Sequence, residues 1–192
     1  MEKNKVAHHD HLKNVPKIIK IGIVIVSSSR YNEFKEDKPS TDRSLPIIRD
    51  LLSGYKSEKA NTTFKIEFEK IVADDAEQIK EIIQNFTQND DLNINVLIFS
   101  GGTGITRRDI TIETISALFK KELPGFGELF MSLSFQQIGT STILSRATAG
   151  IIKNTAIFLI PGSPKAVKLA LEKIIVPELP HIISELYREK LK

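Results

Sequence analysis

Residues 18–26 read IIKIGIVIV, a stretch in which seven of the nine side chains are Ile or Val. β-branched residues favour an extended strand, and the lack of regular polar alternation indicates a strand buried on both faces. Strands of this kind occur mainly in parallel sheets that carry helices on both sides. We therefore predict that residues 18–26 form a central strand of an α/β fold.

Strand and helix patterns alternate along the rest of the chain. Residues 64–69 alternate between apolar and charged side chains, which predicts a half-exposed edge strand, whereas residues 96–99 and 156–160 are continuously apolar. Apolar residues at helical spacing predict helices at about residues 45–52, 76–86, 112–119, 128–137 and 167–174, with a last helix after Pro177.

This alternation predicts a three-layer α/β/α sandwich with a mostly parallel sheet. Right-handed crossovers between parallel strands give a strand order that begins 2-1-3. Residues 27–40 are polar and contain Pro, so we expect a loop there. Residues 124–150 are rich in Gly, Ser and Thr, so we expect loops on both sides of the one helix in that segment.

The composition describes one ordered domain with a tail. The chain has 192 residues, of which 41% are hydrophobic and 27% charged, enough apolar surface for a sizeable core. Residues 1–16 are polar, so we expect a flexible N-terminal tail at 1–16 and a single domain at 17–192. Three of the four histidines lie in the tail, where adventitious metal binding is expected rather than a fixed metal site.

Several classes of protein are disfavoured by composition. A net charge of +3 is too small for a nucleic-acid-binding surface, and the absence of Cys excludes disulfides, thiolate metal sites and a Cys nucleophile. The apolar runs are far shorter than the ~20 residues that span a bilayer. Lys17 and Lys20 interrupt the early apolar stretch and argue against a secretory signal. We therefore expect a cytoplasmic protein with no nucleic-acid or membrane partner.

Four polar or glycine-rich segments directly follow predicted strands. They are residues 27–30, 73–75, 101–109 and 161–164. Because the carboxyl ends of parallel strands lie at one edge of a sheet, these segments are expected to share a rim. Ligands of such sheets bind where the strand order reverses, which here is between the first and third strands.

The segment Gly101-Gly102-Thr103-Gly104 is the sharpest local feature of this rim. Glycines allow positive φ and close approach to a ligand, and successive N–H groups can form a concave anion site. The segment fits neither the phosphate-binding P-loop nor the dinucleotide fingerprint. A simple tight turn is the alternative interpretation.

The aspartates of the rim have two interpretations each. Asp109 is either a loop or cap residue or a ligand of Mg²⁺, which prefers one or two carboxylates together with substrate phosphates. One of Asp74 and Asp75 is expected to cap the next helix, and Asp74 is spaced from Glu77 as in a capping box. The aspartate that does not cap the helix could face a metal–phosphate complex. Arg146 and Lys165 could bind phosphate or be ordinary surface residues.

No histidine falls in the rim segments, which disfavours His-based acid–base catalysis. A phosphate monoester needs no such base, because its second pKa of about 6 leaves it largely dianionic at neutral pH. The obstacle to its attack on another phosphate is charge repulsion, which Mg²⁺, backbone N–H groups and cationic side chains reduce.

Five motifs occur in a fixed order in the chain. They are GGTG (101–104), RRDIT (107–111), PGFGELF (124–130), SRATAG (145–150) and PGSP (161–164). The ordered set resembles the molybdopterin-binding family of the MoaB and MogA proteins, which also includes the G domain of gephyrin. The resemblance extends from about residue 20 to about residue 189.

The resemblance implies a biochemical function. It implies a crevice for pterin and nucleotide, trimers or hexamers, and Mg²⁺-dependent adenylylation of molybdopterin. In that reaction the terminal phosphate of molybdopterin attacks the α-phosphorus of ATP and pyrophosphate leaves. The resemblance further implies a hand-over of the product to a metal-insertion protein. The alternative to an enzyme is a non-catalytic molybdopterin carrier or scaffold.

The resemblance also implies roles for individual residues. Asp74 and Asp109 are the expected catalytic residues and tentative Mg²⁺ ligands. The expected substrate-binding residues are Ser27, Ser28, Gly101, Gly102, Thr103, Gly104, Glu128, Ser134, Ser145, Arg146, Gly162 and Ser163. The chain departs from the family pattern at residues 37–41, which read DKPST where members often read Asp-x-Ser-Gly, and at Ile112, where members often have Pro.

Overall fold

A computed structural model describes residues 15–55, 61–88 and 93–188 of the chain. The strands are β1 (Ile18–Val26), β2 (Thr63–Val72), β3 (Val96–Ser100), β4 (Lys121–Glu122), β5 (Thr148–Ile152) and β6 (Thr155–Ile160). The helices are α1 (Ser28–Lys35), α2 (Ser44–Ser53), α3 (Ala76–Gln88), α4 (Thr111–Ser116), α5 (Pro124–Ile138), α6 (Pro164–Ala170) and α7 (Val176–Tyr187). A 3₁₀ helix (Gly139–Leu144) follows α5, and a π-helical turn (Leu171–Ile175) joins α6 to α7. The predicted flexible tail lies almost entirely outside the described residues.

The strands form one mixed sheet in the order β2-β1-β3-β6-β5-β4. β2, β1, β3 and β6 run parallel. At the far edge β5 pairs antiparallel with β6, and β4 pairs antiparallel with β5. The predicted order 2-1-3, the mostly parallel sheet and the edge position of β2 are confirmed. The continuous apolar stretches of β1, β3 and β6 are buried, as expected for strands covered on both faces.

Two hydrophobic clusters fill the space on either side of the sheet. One face of β1, including Ile21 and Ile23, packs with helices α2, α5, α6 and α7. The other face, including Val24 and Val26, packs with α3 and α4. This distribution is the predicted three-layer arrangement. No helix of the described residues is both long and apolar enough to cross a bilayer.

The sequence interpretation missed one helix and two short strands. Helix α1 buries none of its side chains and so has no apolar period to detect, but the Ser27 hydroxyl caps it by accepting a hydrogen bond from the Arg30 amide. Strand β5 was hidden in a stretch rich in small and polar residues. It pairs with β6 through the two-residue turn at Lys153 and Asn154, where Lys153 has a φ of 52°.

Helix α2 is tied to the edge strand β2 by an ion pair. Arg49 Nε donates to Glu69 Oε1 at 2.7 Å, and Arg49 Nη2 donates to the second oxygen of the same carboxylate. These hydrogen bonds are the main reason that the pKa of Glu69 is lowered and that of Arg49 raised. Glu69 is therefore ionised over the whole neutral range.

Replacing Arg49 with Met should destabilise the fold at pH 7 by no more than about 1 kcal/mol, because half of the Arg49 side chain is exposed. The contribution of the lowered Glu69 pKa is present above its unfolded value and is lost as the pH falls through the folded value. Urea unfolding should therefore separate the two proteins at pH 7 and bring them together in acid, below the ordinary Glu pKa of about 4.3. A difference that persists in a Glu69→Gln background would instead assign the effect to lost packing of the Arg49 stem.

Candidate functional site

The loops that follow β1, β3 and β6 meet at one edge of the sheet and border a crevice of about 920 Å³. The crevice lies where the strand order reverses between β1 and β3, as expected for this class of sheet. It is lined by Ser27, Arg30, residues 40–44, Asp74, residues 100–104, Asp109, residues 144–146, Pro161, Gly162 and Pro164, with Ile25 and Val26 at its base. All four predicted rim segments contribute to it.

The glycine segment lies so close to β1 that side chains cannot fit there. Gly101 has a φ of 109°, and an added Cβ would lie 2.2 Å from the carbonyl oxygen of Val26. Gly102 has a φ of 62°, and its added Cβ would lie 2.3 Å from Thr111 Oγ1. The buried Thr111 fixes both residues, since its amide donates to Gly102 O and its hydroxyl to Gly101 O, each at 2.9 Å. The turn is therefore rigid as well as close-packed.

Asp75, and not Asp74, caps helix α3. The Gln78 amide donates to Asp75 Oδ1 at 2.9 Å, and the Gln78 side chain accepts from the Ala73 amide at 3.2 Å. The expected capping box of Asp74 with Glu77 is therefore wrong, because Asp75 caps the helix and the Gln78 side chain bonds the Ala73 amide. Asp74 is left available for the crevice.

Asp74 is held by the start of helix α1. Its Oδ2 accepts hydrogen bonds from the Ser28 amide and hydroxyl, both at 2.8 Å, and the Asp74 amide donates to the same hydroxyl at 3.1 Å. Its Oδ1 receives no hydrogen bond from the described residues and lies 3.2 Å from the position of a Cβ built on Gly102. Ser28 thus orients one carboxylate oxygen towards the glycine segment.

Asp109 is held by its own loop. Its Oδ2 accepts from the Thr106 amide at 2.8 Å and from the Thr106 hydroxyl at 2.6 Å, and the carboxylate lies against Gly104. The Thr106 hydroxyl is the main cause of a lowered pKa for Asp109; the Gly104 amide and the charge of Arg146 add to it, and partial burial opposes it. Asp109 does not cap α4, which has no side-chain cap. The group is an ionised carboxylate that faces the crevice.

Three guanidinium groups balance three aspartates in the crevice. Arg146 Nε donates to Thr103 O at 3.0 Å and Nη2 to Glu113 at 2.6 Å, which ties it to the glycine segment and to α4. Arg30 bonds Glu33 and Thr41, and Arg43 has no hydrogen bond or ion pair with any residue in the described ranges. Across those ranges, no group of three His, Asp or Glu residues is arranged to bind a metal by itself.

A family model described as a probable molybdopterin binding domain matches residues 22–181 of the chain. The chain belongs to this family. Molybdenum cofactor biosynthesis protein B of Bacillus cereus is 40% identical over 181 residues, which cover 94% of this chain and 98% of that protein.

Two crystal structures extend the comparison to the fold. A molybdenum cofactor biosynthesis protein B has 40% identity and a TM-score of 0.75, covering 90% of this chain and 98% of its own. The tungsten cofactor synthesizing protein MoaB from Pyrococcus furiosus has 38% identity and a TM-score of 0.72, covering 89% and 98%. The family resemblance carried by the five motifs is confirmed.

The structure of this molybdopterin-binding-family domain separates the predicted site residues into two groups. Ser27, Asp74, Gly101, Gly102, Thr103, Gly104, Asp109, Ser145, Arg146 and Gly162 line the crevice. Ser28 lies behind it and orients Asp74, and Ser163 caps α6 by accepting from the Ala166 amide. Glu128 and Ser134 lie on α5 away from the crevice, the first exposed and the second buried. The binding roles of these residues remain predictions.

Residues 40–44 form a wall of the crevice that sequence reasoning missed. Ser44 is buried, and its hydroxyl donates to Gly162 O at 2.7 Å, which joins this wall to the loop after β6. Asp42 Oδ1 accepts from the Leu45 amide at 2.6 Å at the start of α2. An aspartate three residues before that amide, followed by Pro46, is a helix-start pattern that would have directed attention to this segment.

Replacing Gly101 with Ala should destabilise the domain by about 2 kcal/mol or more, because the added Cβ meets the Val26 backbone and φ is positive. Gly125→Ala is the matched control, since an added Cβ there meets nothing within 4 Å. It lies in the first turn of α5, where Ala is favoured over Gly by up to about 1 kcal/mol. Urea unfolding measures both variants, and equal stabilities would contradict the proposed backbone contact.

Proposed function

We propose that this domain acts in molybdenum cofactor biosynthesis by binding molybdopterin and adenylylating it with ATP. The observation that carries the proposal is the pair Asp74 and Asp109, which line one crevice and lie against a rigid glycine segment, Asp74 at Gly102 and Asp109 at Gly104. The names of the relatives from Bacillus cereus and Pyrococcus furiosus support the pathway. The reaction itself is the one that the family resemblance implies, and the chemistry of the crevice supports it.

The glycine segment provides amide donors for phosphate. The N–H of Gly101 donates to Ile160 O at 3.0 Å. The N–H groups of Gly102 and Thr103, two residues that line the crevice, make no hydrogen bond with the described residues. Two free, fixed amides suit the binding of a phosphate oxygen, because fixed donors need no reorganisation during the reaction.

The two aspartates fit a magnesium ion that is shared with substrate. Each carboxylate has one oxygen fixed by a neighbouring hydroxyl and amide, from Ser28 or Thr106. Among the described residues no three His, Asp or Glu side chains are arranged to bind a metal by themselves. This suits Mg²⁺, which takes its remaining oxygens from phosphates and water. Bound there, Mg²⁺ would reduce the repulsion between the phosphate groups of the two substrates.

The reaction requires the meeting of two anions rather than the creation of a nucleophile. The terminal phosphate of molybdopterin forms a bond to the α-phosphorus of ATP, and the bond to the β,γ-diphosphate breaks to release pyrophosphate. Arg30, Arg43 and Arg146 line the crevice, and their guanidinium groups are suited to donate hydrogen bonds to phosphate oxygens. The crevice needs no histidine, since the attacking phosphate is already dianionic near neutral pH.

Asp109→Asn should lower the rate of pyrophosphate release by about 100-fold or more, because it removes a charge and keeps the shape of the side chain. The measurement is pyrophosphate release with ATP, Mg²⁺ and molybdopterin, with molybdopterin left out as the blank. Asp50→Asn, on the exposed face of α2 outside the crevice, should keep the native rate. Full activity of the Asp109 variant would overturn its proposed role. Tight molybdopterin binding by the native protein without pyrophosphate release would favour the non-catalytic carrier.

We also propose that the domain self-associates through α5 and the 3₁₀ helix that follows it. Apolar side chains in this region are unusually exposed: Leu129, Phe135, Ile138, Ile143 and Leu144 are 47–79% accessible. Such a group of exposed apolar residues indicates an interface with another chain. Leu144 also lines the crevice, so a second copy on this surface would lie beside the substrates. The family resemblance makes a trimer or hexamer the expected assembly.

Ile143→Lys should shift the native protein towards monomer, because the charged group would be buried in the proposed interface. Sedimentation equilibrium of both proteins at the same concentration measures the change. Phe34→Lys, a charge placed at a side chain that is 70% exposed on α1, is the control and should keep the native assembly. A monomeric native protein would contradict the proposed interface.

A further inference from the structure

The wall formed by residues 40–44 begins in irregular backbone. Helix α1 ends at Lys35 and α2 begins at Ser44, and the chain between them turns through Asp37, which has a φ of 52°. Thr41 in this segment and Arg30 on α1 both line the crevice. The position of Thr41 therefore depends on contacts other than helix or strand pairing.

A single carboxylate, that of Glu33, holds both residues. Its Oε2 accepts from the Thr41 amide at 3.0 Å, and its Oε1 accepts from the Thr41 hydroxyl and from Arg30 Nη1, both at 2.7 Å. Arg30 also donates to the Thr41 hydroxyl, which closes the cluster. Glu33 itself does not line the crevice, and only 20% of its side chain is exposed.

The two ends of the wall are fastened differently. At the α2 end, the Asp42 carboxylate caps the Leu45 amide and the Ser44 hydroxyl bonds Gly162. At the Thr41 end, the hydrogen bonds to parts of the described chain outside the wall all run through the cluster of Glu33 and Arg30. Loss of the Glu33 carboxylate should therefore release the Thr41 end and leave α2 in place.

We infer that Glu33 is a positioning residue that holds Thr41 and Arg30 against the crevice before a phosphate-bearing substrate arrives. The consequence for substrate rests on the proposed function, whereas the cluster itself does not. A carboxylate suits this role because its two oxygens accept all three donors and carry the charge that pairs with Arg30. The Thr41 amide, the Thr41 hydroxyl and Arg30 all lower the pKa of Glu33, so the group is ionised at neutral pH.

Glu33→Gln tests the inference, since the amide keeps the size of the side chain but replaces one acceptor oxygen with a donor. In the ligand-free protein, hydrogen exchange of peptides that span residues 38–43 should become about tenfold faster, and exchange in α2 should not change. Glu36→Gln is the matched control. Glu36 lies three residues further along, and within the described ranges its carboxylate pairs only with Lys38, in an exposed contact. Unchanged exchange at residues 38–43 in the Glu33 variant would overturn the inference.

A second measurement connects the cluster to the crevice. Calorimetric binding of ATP with Mg²⁺, in the absence of molybdopterin, should weaken about tenfold in Glu33→Gln and stay unchanged in Glu36→Gln. In the full reaction KM for ATP should rise, whereas kcat should change by no more than about twofold. A general loss of stability would not produce this difference between KM and kcat. Faster exchange with native ATP affinity would overturn the substrate role of Glu33. Failure of the native protein to bind ATP would count against the proposed function, and the exchange result would still decide the inference about the cluster.

Discussion

The site depends on the contact between two strand ends that have no side chain between them. Gly101, at the end of β3, lies directly on the Val26 carbonyl at the end of β1, and a Cβ on Gly162 would lie 3.2 Å from Gly101 Cα. Three loops can converge this closely only where glycines leave no side chain in the way and the backbone can adopt positive φ. The contact fixes the base of the crevice, and the side chains that face it are placed relative to that base.

Asp74, Asp109 and Arg146 are each held in the crevice by hydrogen bonds to a neighbouring residue. Ser28 orients Asp74, Thr106 orients Asp109, and the Thr103 carbonyl accepts from Arg146. These hydrogen bonds fix the charges before substrate binds, so the crevice does not have to reorganise around a developing negative charge. Asp75, and not Asp74, caps α3. Because Asp75 takes this role, the carboxylate of Asp74 is left for the crevice.

The sequence predicted the parts of the fold that depend on burial. The apolar stretches of β1, β3 and β6 have a physical signature because they are covered on both faces, and their connections fix the order 2-1-3. Helix α1 and the wall at residues 40–44 have no such signature, because polar contacts across several residues hold them. The choice between Asp74 and Asp75 needed coordinates, since both have plausible capping positions. Motif resemblance named Glu128 and Ser134, which the fold places on α5 away from the crevice.

The base of the crevice and the Thr41 end of its wall are held in place by contacts of different strength. The base is built from buried backbone of the sheet, so displacing it would break the close packing of β1 and β3. The Thr41 end of the wall is held by hydrogen bonds among largely polar groups near solvent, each of which stabilises by only about 1–3 kcal/mol. Local opening would therefore release the Thr41 end of the wall first, while the amides and carboxylates next to the sheet stay in position.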